Sequence, residues 1–130
     1  MKLLLDTHIV LSIVNERIAE LPATLRGVLA DPDSEFFVSV ASLWEIAIKW
    51  RLGKLKLSGD LELLPAIVTS GGIELLPINE HHVLATIRPE PMTRDPFDRL
   101  LLAQCSVEEL RLVTVDRALI QHPLVVQPNA

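Results

Sequence analysis

Short apolar runs separated by helical segments constrain the fold of this chain more than any other feature. Residues 3–5 and 112–115 are strongly apolar, and neither run alternates between polar and apolar side chains. Such runs are typical of strands that are buried on both faces, as in a parallel sheet covered by helices. We therefore predict an α/β fold, a three-layer α/β/α sandwich with a mostly parallel central sheet.

The order of elements follows from the same pattern and from helix start and stop signals. Gly53 is a typical stop for a helix, and Asp95 with Pro96 is a typical start. The predicted strands cover residues 2–5, 36–40, 73–76, 112–115 and 124–126. The predicted helices cover residues 7–15, 22–30, 41–52, 60–70, 79–87, 96–110 and 117–121.

Composition limits the class of protein. The chain has 130 residues, 49% hydrophobic but only 4% aromatic, so we expect one domain over residues 1–130 with an aliphatic core. The single Cys105 excludes an internal disulfide and a multi-cysteine zinc site. No apolar run approaches the roughly 20 residues of a membrane helix, and we expect a cytoplasmic protein. The net charge of −5 argues against simple electrostatic binding of nucleic acid.

Four acidic residues lie close to the ends of predicted strands. Asp6 and Asp116 follow strands directly, while Glu45 and Asp98 lie near the starts of predicted helices. In a parallel α/β sheet the ligand crevice lies outside the carboxyl ends of the strands. We therefore expect the four carboxylates to converge at that edge.

Carboxylates that converge need a counter-charge. Two of them about 4 Å apart repel by roughly 4 kcal/mol at an effective dielectric constant near 20. A divalent cation such as Mg²⁺ or Mn²⁺ removes this repulsion, because hard cations prefer carboxylate oxygens and water. The sequence therefore predicts an acidic site for Mg²⁺ or Mn²⁺.

Each acid also has a purely structural alternative. Asp6 and Asp116 could cap the helices that follow them. Glu45 has the capping-box spacing from Ser42, and Asp98 lies where a helix favours negative charge. Asp95 is expected to be a helix cap that lies close to the site.

Small hydroxyl residues accompany the acids. Thr7, Ser39 and Thr114 could orient the carboxylates as a second shell, and ordinary capping is the alternative. His8 could contact a substrate or be structural.

A basic stretch follows Glu45 along the chain. It is either a solvated face or a strip that holds phosphates, and its residues are Lys49, Arg51, Lys54 and Lys56.

Four segments give the chain a resemblance to a known family. They are LLLDTH at 3–8, VSVASLWEIAIK at 38–49, RDPFDRLLLAQ at 94–104 and VTVD at 113–116. In this order and at these separations they resemble the PIN-domain ribonucleases, and among them the VapC-type toxins of type II toxin–antitoxin systems. Close relatives often place His before the third segment, where this chain has Thr93.

The resemblance implies a function and a set of partners. It implies a Mg²⁺- or Mn²⁺-dependent endoribonuclease whose metal site is formed by Asp6, Glu45, Asp98 and Asp116. It also implies an RNA substrate, a cognate antitoxin, a homodimer and no membrane. The alternatives are a receiver-type domain that accepts a phosphoryl group on an Asp, and a catalytically idle PIN-like binding module.

Overall fold

The sheet is parallel throughout, as predicted. The computed structural model describes residues 1–127. Within this range four strands form one sheet in the order β3-β2-β1-β4, and each neighbouring pair is parallel. The strands are β1 (Lys2–Leu5), β2 (Glu35–Ser39), β3 (Glu74–Leu76) and β4 (Arg111–Val113). This order differs from the 2-1-3-4-5 order of receiver-type domains.

Six α-helices accompany these strands in the described range. They are α1 (Thr7–Val14), α2 (Ala23–Leu29), α3 (Val40–Arg51), α4 (Leu64–Ser70), α5 (Glu80–Leu84) and α6 (Pro96–Glu108). Each corresponds to a predicted helix, although several are shorter. The helix predicted from residue 60 begins as a 3-10 turn over Leu61–Leu63. Pro65 lies at the start of α4 because it has no N–H to donate to a preceding α-helical turn.

The helix predicted at residues 117–121 and the strand predicted at residues 124–126 do not form as expected. Residues 117–121 form turns in place of a helix. Asp116 caps this segment, but only Leu119 and Ile120 donate their N–H groups to the Asp116 carbonyl, and Pro123 follows closely. The predicted strand at 124–126 is reduced to one parallel bridge between Leu112 and Val125.

The core lies on both faces of the sheet because side chains alternate along each strand. Leu3 and Leu5 pack on one face with Ile9 and Ile46. Leu4 packs on the opposite face, in a cluster that also holds Leu101, Leu102, Cys105 and Leu112. This arrangement confirms the predicted α/β/α layers. In residues 1–127, no helix combines the length and apolar character that a membrane span requires.

Candidate active site

Asp6 lies at the carboxyl end of the central strand β1 and is almost fully buried. One carboxylate oxygen accepts a 2.7 Å hydrogen bond from the N–H of Thr7 and so caps α1. The other accepts a 2.5 Å bond from the hydroxyl of Thr114. Burial raises the pKa of Asp6, and these hydrogen bonds only partly oppose that rise. Asp6 therefore caps α1, as its structural alternative predicts, and its second oxygen is bound by a residue from beyond β4.

Glu45 lies on α3, and its side chain is only 8% exposed. Its Oε1 accepts a 2.6 Å bond from the Thr7 hydroxyl, and its Oε2 lies 2.7 Å from Nζ of Lys49. The helix is capped by Ser39, whose hydroxyl accepts from the N–H of Ala41 at 3.0 Å. The capping-box alternative for Glu45 is therefore wrong, because Ser39 is the cap and the Glu45 carboxylate binds Thr7 and Lys49.

Asp98 lies in the first turn of α6, which Asp95 caps as predicted. The hydroxyl of Thr93 donates a 3.2 Å bond to Asp98. Burial, followed by the charges of Asp95, Asp6 and Asp116, raises the pKa of Asp98 to about 7. Without a counter-charge, Asp98 is therefore only partly ionised near neutral pH.

Asp116 lies just beyond β4 and is partly buried. Its carboxylate accepts a 2.9 Å bond from the N–H of Ala118 and so caps a turn, because the helix predicted there does not form. Its own N–H donates to the Thr114 hydroxyl at 3.0 Å. Thr114 thus links Asp116 to Asp6, and its position supports the predicted orienting role.

The four predicted acids lie within electrostatic range of one another. The charges of Asp6 and Asp116 contribute to the raised pKa of Asp98, and the charge of Glu45 contributes to the raised pKa of Asp6. Even so, within residues 1–127 no three His, Cys, Asp or Glu side chains are arranged to hold a metal ion. The acids share one edge of the sheet, but their oxygens do not close around one point.

The chemistry of the donor set suits a hard divalent cation. The four acids supply carboxylate oxygens only, and their mutual repulsion is relieved when a cation is added. Burial is the main cause of the raised pKa of Asp98, and the charges of Asp95, Asp6 and Asp116 add to it. Mg²⁺ and Mn²⁺ therefore fit these residues by ligand type.

A surface groove of about 600 Å³ is lined by residues that are close in sequence to two of the acids. His8, two residues after Asp6, and Val115, directly before Asp116, line it together with Arg17 and Lys56. His8 is exposed to this groove, while Arg51 and Lys54 are exposed elsewhere. The predicted basic stretch is therefore divided, because Lys49 lies in the acidic site and Lys56 in the groove.

Three residues make contacts at the site that the sequence analysis did not predict. Lys49 binds Glu45, a pairing that the four-residue spacing on a helix could have indicated. The hydroxyl of Ser42 lies 3.1 Å from that of Thr7. Thr93, near the end of the proline-rich loop, binds Asp98 in the first turn of α6, and no sequence signal predicts that contact.

Comparison with known proteins settles the family. The sequence model of the PIN domain matches residues 3–123. The chain belongs to the PIN domain family. No curated protein sequence gives a significant match. The family assignment confirms the resemblance of the four segments and favours nuclease activity.

Solved structures of similar fold come from toxin–antitoxin complexes. One is VapBC2 from Rickettsia felis bound to a DNA fragment from their promoter, with a TM-score of 0.63 and 17% identity over 97% of this chain and 96% of that one. Another is a toxin–antitoxin complex from Klebsiella pneumoniae, with a TM-score of 0.59 and 15% identity over 96% of each chain. At these identities the likeness establishes the PIN fold.

Proposed function

We propose that this PIN domain is a metal-dependent endoribonuclease and the VapC-type toxin of a type II toxin–antitoxin pair. The observation that carries the proposal is the gathering of four acids at one sheet edge, with Asp98 perturbed by Asp6 and Asp116. A pKa displaced by burial and by specific charge partners is typical of functional sites. The structural likeness to toxin–antitoxin complexes supports the toxin assignment.

In this proposal the acids hold Mg²⁺ or Mn²⁺. Asp6 and Asp98 are the principal ligands, because one is fixed at the end of the central strand and the other is the most perturbed carboxyl. Glu45 binds or orients the attacking water, and Asp116 completes the site. Thr114 holds the carboxylate of Asp6 and Thr93 that of Asp98, so both are positioned before a cation binds.

The chain's own residues then position the reacting groups. A bound divalent cation would supply positive charge to the phosphate and lower the pKa of a water molecule. Thr7 fixes the orientation of Glu45 through its 2.6 Å hydrogen bond. No dedicated histidine base is needed, and His8 is placed to contact the RNA along the groove. Hydrolysis by water leaves a 5′-phosphate and a 3′-hydroxyl.

The deciding experiment is RNA digestion by the purified protein. Cleavage is expected with Mg²⁺ or Mn²⁺, and it should be lost with chelator and in Asp6→Asn. Asp33→Asn is the matched control, because Asp33 is an exposed acid in the 31–34 turn and the same charge is removed. Equal cleavage under all conditions indicates a contaminating nuclease and leaves the proposal unsupported. A metal-dependent cleavage that leaves a cyclic phosphate refutes attack by water but not the ribonuclease activity.

The partners follow from the same assignment. A pocket of carboxylates attracts guanidinium groups, so we propose that an antitoxin Arg occupies the place of the cation through paired hydrogen bonds. A complex in which the antitoxin lies entirely away from the four acids would contradict this. We also propose a homodimer, which light scattering of the purified chain tests directly.

A further inference from the structure

Lys49 is the cation that the chain itself places in the acidic site. It lies one helical turn after Glu45, with Nζ 2.7 Å from Oε2, and its side chain is 42% exposed. In the part of the chain that the structure describes, no other Lys or Arg forms an ion pair with any of the four acids. Its charge already offsets part of the repulsion at the site.

Both carboxylate oxygens of Glu45 are occupied by contacts within the protein. Oε1 is bound by Thr7 and Oε2 by Lys49, so both oxygens have partners. The hydrogen bond to Glu45 raises the pKa of Lys49, and the charges of Asp95 and Asp98 add to the rise. The direct contact of the ammonium group is with Glu45, while the acids do not close around one point.

We propose that Lys49 is the resident counter-ion of the acidic site and that it competes with a divalent cation for Glu45. Lys49 is thus a positioning residue that sets how much metal the protein requires. The inference rests on the proposed metal site, but its main test does not involve RNA. An ammonium group suits this role because it is a compact point charge on a flexible stem that can move away.

Mn²⁺ binding to the metal-free protein tests the competition directly. Free Mn²⁺ is measured by electron paramagnetic resonance at constant ionic strength for wild type, Lys49→Gln, Lys49→Met and Lys49→Arg. Removal of the charge should tighten Mn²⁺ binding by about tenfold. The Lys49 ammonium group then no longer repels the metal ion or occupies Glu45. Lys49→Arg keeps the charge and should stay close to wild type.

Lys54→Gln is the matched control, because it removes the same charge from an exposed lysine without an ion pair to the acids. It should bind Mn²⁺ like wild type. In chelator, Lys49→Gln and Lys49→Met should melt at a lower temperature than wild type, because the acids lose their counter-ion. Mn²⁺ should then raise their melting temperatures by more than it raises that of wild type.

The outcomes separate this inference from the proposed function. Unchanged or weaker Mn²⁺ binding by both neutral variants overturns it, as does a lack of Mn²⁺ binding by every protein. Slower RNA cleavage with unchanged Mn²⁺ affinity would show a phosphate contact and also overturn it. If the neutral variants bind Mn²⁺ more tightly but no variant cleaves RNA, the competition stands and the ribonuclease function fails.

Discussion

The buried carboxylate of Asp6 is held by the hydroxyl of Thr114, which lies 108 residues later in the chain. The 2.5 Å bond joins the end of β1 to the segment that follows β4. Thr114 also accepts the N–H of Asp116 at 3.0 Å. One hydroxyl group therefore sets the relative positions of two of the four acids, and it does so because β1 and β4 are parallel neighbours.

Thr114→Val should destabilise the protein. It keeps the side-chain shape but removes the hydroxyl, so Asp6 loses a donor and the N–H of Asp116 loses an acceptor. A buried group left without its partner costs about 1–3 kcal/mol, and we expect a loss of that size in the free energy of unfolding. Urea denaturation measures it. Thr114→Ser keeps the hydroxyl and should stay close to wild type; equal stability of the two variants would show that the bond contributes little.

His82 should matter far more for stability than its neighbour His81. The buried ring of His82 accepts the N–H of Asn79 at 3.1 Å, and its other nitrogen lies 2.7 Å from Glu108. His82→Ala leaves a cavity and removes both bonds, so a loss of about 2–4 kcal/mol is expected. His81 is exposed, and His81→Ala should change stability by less than about 0.5 kcal/mol. Similar losses in thermal or urea unfolding would contradict the assignment of His82 to the core.

Arg99 should be required for the loop that carries Thr93. Its guanidinium group donates to the carbonyls of Thr93 at 2.8 Å and Pro91 at 3.2 Å and pairs with Glu90 at 2.7 Å. Arg99→Lys keeps the charge but loses this planar set of donors.

We expect faster proteolysis within residues 88–94 of Arg99→Lys and RNA cleavage reduced several-fold, because Thr93 no longer holds Asp98. Arg94→Lys is the control, since Arg94 is exposed in the same loop. Unchanged proteolysis and cleavage in Arg99→Lys would show that the loop is held by other contacts.

Cys105 should be inert in the folded protein. It is fully buried on α6, and burial raises the pKa of its thiol well above the usual range. The thiolate is the reactive form, so a thiol reagent should label the native protein very slowly and the urea-unfolded protein rapidly. Because the chain has one cysteine, the stoichiometry of labelling reports on this residue alone. Rapid labelling under native conditions would mean that α6 opens readily.

The chain order of most strands and helices could be predicted from local sequence, and the same patterns singled out the four acids proposed for the site. Residues 3–5 are continuously apolar because both faces of β1 are covered, and Asp95 with Pro96 starts α6 through contacts within one turn. The pattern did not locate the ends of weak elements. At residues 117–121 and 124–126, one cap and one bridge replace a helix and a strand.

Sequence alone determined that Asp6 and Asp116 follow strands and that Asp98 lies in the first turn of a helix, because these positions depend on contacts between near neighbours. Only the tertiary structure decided which partners from distant segments the carboxylates take. Glu45 binds Thr7 of α1, and Asp6 binds Thr114 from the segment that follows the neighbouring strand β4. These pairings depend on the parallel order of strands, which brings distant segments to one edge, and no local pattern encodes the distance between their side chains.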